Sequence, residues 1–550
     1  MSSPEDLEKA QNPASRNSHS STASGGPATP TSMEEKELSN LGRPSAGDSD
    51  VEIGPARESG PDKNHRLSIQ STKPPMGLAH EIAFVVLASS AQLFTQAALA
   101  ESIAPLNIMS KDFGHPSPGQ QSWFTAAHSL TVGTFILIAG RLGDMFGHKK
   151  LFVFGWFWFS FWSLISGFTV YSHSQIFLDI SRALQGIGPA VLLPSSLALL
   201  GQAYPPGRRK EMVFSFFGAT APNGFTLGAV FSGIMAQLAW WPWTFWLMAI
   251  FCCVNGVLAL FIIPNYFHQD DTASQKDTKQ SFDWKGAVTG VLGLVLFNIA
   301  WNQAPIVGWS EPYIIVLLIL GVLIFVAFLF IECRVDQPLV PVASFDSHVC
   351  FVLMCMALGW SSFGIWLYYI WQFTVNLQQN TPLNVAAQLA PTCVAGICAA
   401  FTVSKLLSKV PTSFIMMCAM IAFCIGNIIF AVLPVGRLYW KQLFWATLIT
   451  PWGMDMSFPA ATIILSNHVP RRHQGIAASL VTTVVNYSIS WGLGIAGTVE
   501  VNVNNGGLTD ADTLKGYRGA WYAGIGLSGL GAVVALTFIV SSLRHRSSQH

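Results

Sequence analysis

The sequence predicts an all-α protein that crosses a membrane many times, and three observations predict it. Only 11% of the 550 residues are charged, against about 25% in an ordinary globular chain. Apolar residues make up 51%, and the mean hydropathy is +0.43. Runs of roughly 18 or more apolar residues, each long enough to cross a bilayer, recur from residue 80 to residue 541.

Residues 1–78 come before the first run. They are rich in Ser, Pro, Gly and charge and hold neither an apolar stretch nor a signal peptide, so a disordered cytoplasmic tail is expected there. Fourteen spans follow, near 80–104, 121–140, 150–170, 176–200, 212–235, 241–263, 284–304, 312–332, 348–371, 384–404, 413–433, 439–462, 475–499 and 519–541. The cations give them an orientation. With the N-terminus inside, sixteen Lys and Arg fall in inner loops and the C-terminal tail, among them Arg141, Lys149, Lys150, Arg208, Arg209, Arg471 and Arg472. Five fall outside: Lys111, Arg437, Lys441, Lys515 and Arg518. An even number of spans then places both termini in the cytoplasm.

The nine cysteines lie within or at the ends of these spans and read as small apolar residues rather than disulfides or metal ligands. A net charge of +1 gives no electrostatic case for nucleic acid. No metal-ligand spacing, nucleotide-binding loop or nucleophile constellation occurs, so neither an enzyme nor a cofactor is expected.

Charge within a span is costly and marks a cavity or a partner. Arg182 is the one Lys or Arg near the middle of a span, in Asp179-Ile-Ser-Arg-Ala-Leu-Gln-Gly-Ile-Gly188. Asp179, three residues earlier, shares its helix face, so an Asp179–Arg182 ion pair is one expectation. Asp455 lies in Pro451-Trp-Gly-Met-Asp-Met-Ser-Phe-Pro459, where two prolines and a glycine suggest a broken or kinked helix lining a site. Glu101 and Glu500, near outer span ends, are expected to reach the interface, and His128 to be a packing residue. Trp360, Tyr368, Tyr369, Trp371 and Gln372 are candidate substrate contacts, most of them expected in an interfacial aromatic belt. Gln96, Asn302, Gln303 and Asn486 remain as cavity candidates. In span 5, Gly218, Pro222, Gly224 and Gly228 allow close packing and bending.

Between spans 2 and 3 lies Gly140-Arg-Leu-Gly-Asp-Met-Phe-Gly-His-Lys-Lys150. Its glycines let two helix ends meet closely, and its cations belong on the cytoplasmic side. This loop, with Gly140, Arg141, Gly143, Asp144, Gly147, Lys149 and Lys150, resembles the signature loop of the major facilitator superfamily. The pattern Arg182-x-x-Gln-Gly-x-Gly188 resembles the fourth-helix motif of its proton-coupled members, in which the arginine is implicated in proton transfer. Trp301-Asn-Gln-Ala-Pro305 and Gly453-Met-Asp-Met-Ser-Phe-Pro-Ala-Ala-Thr-Ile-Ile-Leu-Ser-Asn467 are similar to the fungal fourteen-helix drug:proton antiporter branch. That branch includes aminotriazole-resistance and borate-efflux proteins and a low-affinity ammonium transporter.

The resemblance implies six helices (79–263), a cytoplasmic loop (264–283), an inserted pair (284–332), six more helices (333–541) and a short tail (542–550). It implies a monomer in the bilayer, in the plasma membrane or alternatively the vacuolar membrane, that exports a small toxic compound or metabolite in exchange for protons. Uptake of a small solute such as ammonium is the alternative. Three departures bear on mechanism. Met145 replaces a basic residue of the loop motif. Phe225 and Thr226 stand where the span-5 antiporter motif has paired glycines. Gln96, nine residues before Pro105, stands where many such exporters carry an aspartate. Asp455, Asp179 and Arg182 must then supply the proton coupling, unless Glu101 substitutes.

Overall fold

In the computed structural model the described residues are 77–547, except 115, 205–206, 265–281, 336, 341, 343–344, 408, 437 and 469–473. They lie in the unit Pro75–His550. The expected N-terminal tail and most of the 264–283 loop fall outside them.

The described residues are helical throughout. In chain order the helices are α1 (Leu78–Ile103), α2 (Leu106–Asp112), α3 (Pro118–Phe146), α4 (His148–Phe168), α5 (Gln175–Ala203), α6 (Arg208–Leu238) and α7 (Trp243–Ile262). There follow α8 (Trp284–Val307), α9 (Pro312–Glu332), α10 (Ser347–Gln372), α11 (Pro382–Leu389), α12 (Pro391–Leu406), α13 (Thr412–Ala431), α14 (Leu443–His468), α15 (Gln474–Val503) and α16 (Asp510–Ser547). Eleven helical stretches among the described residues are long and apolar enough to cross a membrane. Three further helices, α6, α14 and α15, are 31, 26 and 30 residues long.

Local chemistry sets many of the boundaries. Ser117 accepts from Gln120 N while the Gln120 side chain accepts from Ser117 N, a capping box ahead of Pro118. Asp283 and Asp346 cap α8 and α10 by accepting from Gly286 N and Val349 N, each at 2.9 Å.

Four boundaries differ from the sequence expectation. The 140–150 stretch is a corner rather than a loop. α3 runs to Phe146, α4 begins at His148, and Gly147 alone turns the chain with φ 94°, a conformation that favours glycine. The tenth span divides at Ala390 into α11 and α12, each opening on a proline. α14 is continuous through Pro451 and Pro459, so of the expected break or kink there the break is absent. α16 continues to Ser547, through most of the residues read as a C-terminal tail.

α1 packs on α6, α3 on α5, and α4 on α5 and α7. In the second set α13 packs on α14 and α16, α10 on α15 and α16, and α12 on α14. Small residues bring backbones together, since van der Waals packing is the main attraction between helices in lipid. A Cβ at Gly133 would stand 2.6 Å from the Tyr487 backbone, where α3 meets α15. α8 lies along that seam. Asn302 Nδ2 donates to Ser490 O at 3.2 Å, while Ser490 Oγ donates to Asn298 Oδ1 at 2.9 Å and Ala126 O at 3.0 Å. α9 packs on α8, Gly321 against Phe297 and Gly293 against Phe325.

Candidate functional site

α5 carries Arg182 into a small polar nest. Its guanidinium is 0% exposed and meets Glu101 Oε1 of α1 at 2.6 Å. Nη2 donates to Ala98 O at 2.7 Å and Ser102 Oγ at 3.1 Å, and Nε donates to Phe124 O of α3 at 3.1 Å. Nη1 also donates to the Gln185 side-chain carbonyl, one turn along α5. Gln185 Nε2 in turn donates to Glu101 Oε1 at 2.9 Å and Ser163 Oγ at 2.7 Å. Phe245 lies under the guanidinium, its centroid 5.6 Å away. Burying two charges is costly unless the geometry and the remaining hydrogen bonds are good. Here three helices and a glutamine meet that condition for Arg182 but leave one oxygen of Glu101 without a partner.

This corrects two expectations. Glu101 does not reach the interface; it is 1% exposed and is the ion partner of Arg182. Asp179 does not pair with Arg182. It accepts from Gln175 Nε2 at 3.2 Å, and its Oδ1 is buried without a hydrogen-bond partner. Glu101 Oε2 is likewise buried and unpartnered. Each carboxyl therefore has an oxygen that can take a proton without breaking a hydrogen bond. His128, 1% exposed, has no partner on either ring nitrogen.

Asp455 sits elsewhere. Its Oδ2 is buried and unpartnered. It faces Gly396 of α12, whose Cβ would stand 2.9 Å from Oδ2 and 3.1 Å from Pro222 Cγ of α6. Cys393, on the preceding turn of α12, donates to Thr226 Oγ1 at 2.8 Å and Pro222 O at 3.4 Å. The structure thus gathers Asp455 and the proline of span 5 around one glycine, where α6, α12 and α14 meet. Among the described residues no hydrogen bond or ion pair joins Asp455 to Arg182 or Asp179.

The other span-5 residues divide. Gly224 and Gly228 press on the α1 backbone at Leu93 and Ala97, but Gly218 faces open space and packs against nothing. That corrects its expected packing role. At the α3–α4 corner Asp144 pairs with His148 at 3.3 Å, and Gly143 lies so close to the His148 ring that a Cβ would strike it. Gly140 faces Ser479 of α15 and Pro194 of α5. Lys149 Nζ donates to Ile263 O at 2.5 Å and Leu260 O at 3.2 Å, satisfying the end of α7. Arg141 Nη2 donates to Gln337 Oε1 at 2.8 Å, and Lys150 is exposed.

Of the cavity candidates, Asn302 is buried in helix packing between α8 and α15. Asn486 is buried and donates to Thr482 O at 2.9 Å. Gln96 and Gln303 are half-buried.

The expected aromatic belt is also corrected. Trp360, Tyr368, Tyr369, Trp371 and Gln372 are all buried. Tyr369 OH donates at 2.7 Å to Glu500, which is 4% exposed and so does not reach the interface either. The sequence offered these residues as substrate contacts but placed most in the belt, because aromatic residues at a span end look alike whether they face lipid or the bundle. Among the described residues no group of three His, Cys, Asp or Glu could hold a metal.

Comparison with known proteins identifies the family and the fold. A low affinity ammonium transporter of Saccharomyces cerevisiae is 56% identical over 489 residues, 88% of this chain and 94% of that protein. The efflux pump terJ of Aspergillus terreus is 45% identical over 477 residues, 86% of this chain and 90% of that protein. In fold the chain is similar to the crystal structure of a peptide transporter in complex with sulfate. The TM-score is 0.59 at 14% identity, over 86% of this chain and 96% of that one. The Major Facilitator Superfamily profile matches residues 85–495, and with fungal transporters among its relatives the chain belongs to that superfamily as a multi-pass membrane transporter.

Proposed function

We propose that the protein exports a small toxic compound or metabolite by alternating access, in exchange for protons. The observation that carries this reading is the set of buried carboxyl oxygens without partners, on Glu101, Asp179 and Asp455. Such an oxygen can gain or lose a proton at little structural cost. Glu101 also shares its guanidinium partner with a whole helix junction. A protonated Glu101 no longer balances the charge of Arg182, so the junction of α1, α3 and α5 changes in stability with each proton. Asp455 has no cation to balance, so its protonation instead adds or removes a charge where α6 meets α12 and α14. A difference in affinity of this kind is what can drive a switch between two conformations. Asp144 and the cations Arg141, Lys149 and Lys150 latch the corner end of the bundle in one of them.

The efflux-pump relative supports the outward direction. The ammonium transporter relative, at 56% identity, favours a second reading, uptake of a small solute. In either case the long helices are read as fourteen spans, six then two then six. The chain is read as a monomer with both termini in the cytoplasm, in the plasma membrane, with the vacuolar membrane as the alternative. The test is accumulation of labelled solutes in pump-deficient yeast expressing the chain. The panel holds borate, methylammonium and several toxic small organics. Export lowers accumulation of at least one member, and a protonophore abolishes the effect. Raised accumulation overturns export in favour of uptake.

A further inference from the structure

A polar cavity of about 260 Å³ lies at the Lys111 end of the bundle, built from residues that the coupling groups above do not involve. Asn107 lines it from α2. Tyr368 and Gln372 of α10, Asn376 just beyond, Glu500 of α15 and Tyr517 of α16 line it from the other side. Asn107 Nδ2 donates to Asn376 Oδ1 at 2.7 Å across the cavity edge. Asn376 Nδ2 donates to Gln372 Oε1 at 3.0 Å and Tyr517 OH at 2.9 Å.

Two lining groups lack what buried groups of their type require. The Glu500 carboxylate is 4% exposed, and its hydrogen bond is the one from Tyr369 to Oε2. A buried carboxylate normally needs a cation or several donors. The Tyr368 hydroxyl is 2% exposed and makes no well-aligned hydrogen bond, with the Gln372 side chain as its polar neighbour. Rings surround them: Tyr368 and Tyr369 meet edge-on at 5.2 Å, and Tyr369 and Tyr517 at 5.6 Å. Lys111 is the cation on the lining and is exposed, so water screens its charge far more than that of Glu500. The lining therefore holds no buried cation to face an ionised Glu500.

We propose that this cavity binds a small primary alkylammonium ion, with Glu500 as its counter-ion and the Tyr368 hydroxyl oxygen as a second acceptor. The ammonium hydrogens supply the donors that Glu500 lacks, and the aromatic rings favour a cation over a neutral solute. Size sets a limit. At roughly 30 Å³ per water-sized group, 260 Å³ holds about eight such groups. That volume lies below the roughly 300–1,000 Å³ of drug-sized pockets, so a small ion fits better than a multi-ring drug. The walls come from helices at both ends of the sequence and the Asn107–Asn376 bond closes one edge, so occupancy depends on conformation. The inference rests on the transport reading for its role, as an antechamber to the path, and not for binding itself.

The test is calorimetric titration of the purified full chain in lipid nanodiscs with propylammonium chloride, 1-propanol and sodium propionate. Propylammonium binds and the other two do not. Glu500→Gln weakens binding by about tenfold or more, the loss of a charge-assisted hydrogen bond, and Tyr368→Phe weakens it less. Equal binding of propanol, preference for propionate, no binding to the wild type, or unchanged affinity in a folded Glu500→Gln each overturns the proposal. If Glu500→Gln does not fold, the wild-type comparison of amine with alcohol decides alone. Proton-driven movement of a solute without propylammonium binding overturns this inference and leaves the transport reading standing. Binding without such transport does the reverse.

Discussion

At the scale of single residues, three carboxyl side chains and one guanidinium hold most of the chemistry. Glu101→Ala leaves the Arg182 charge buried without its partner. The expected loss is about 3–5 kcal/mol of stability, read as a lowered unfolding temperature in detergent. Glu101→Gln keeps an acceptor for Arg182 and is expected to fold while losing proton-driven transport. Asp455→Asn is expected to leave the unfolding temperature nearly unchanged, because Oδ2 has no hydrogen bond to lose, and to abolish pH-driven transport. Full coupled activity in that variant removes Asp455 from the mechanism. Arg182 was legible in the sequence because a cation inside an apolar run must have a reason. Its partner was not. Glu101 and Arg182 are 81 residues apart, and only the rotation of α1 about its axis decides whether Glu101 meets Arg182 or the interface.

At the scale of helices, small residues set how closely backbones approach. Gly133→Val must push α3 off the Tyr487 backbone, and overpacking of that kind costs about 1–3 kcal/mol. Gly218→Ala meets nothing. It is expected to be neutral or to stabilise by about 0.5–1 kcal/mol through helix propensity. Thermal unfolding of the two variants side by side checks both. The existence of nearly every long helix was legible, because a bilayer demands some twenty apolar residues per crossing. Helix ends were less so. The corner at Gly147 read as a loop because its polar residues, Asp144 and Lys149 among them, are used in pairing and capping within the turns on either side. The helix is not broken at Pro451 and Pro459, because proline in a membrane helix is tolerated when neighbours re-satisfy the freed carbonyls.

At the scale of the whole molecule, orientation is the expectation to check first. With Lys111→Cys, an impermeant maleimide is expected to label intact cells. With Lys150→Cys it is expected to label only after permeabilisation, against the background of exposed native cysteines such as Cys253 and Cys350. The reverse pattern inverts the topology. The pairing of α8 with α3 and α15 reaches further. Asn298, Asn302 and Ser490 tie that helix to a seam formed by helices from both ends of the sequence. A greasy solute dissolved in the bilayer thus finds this flank shuttered.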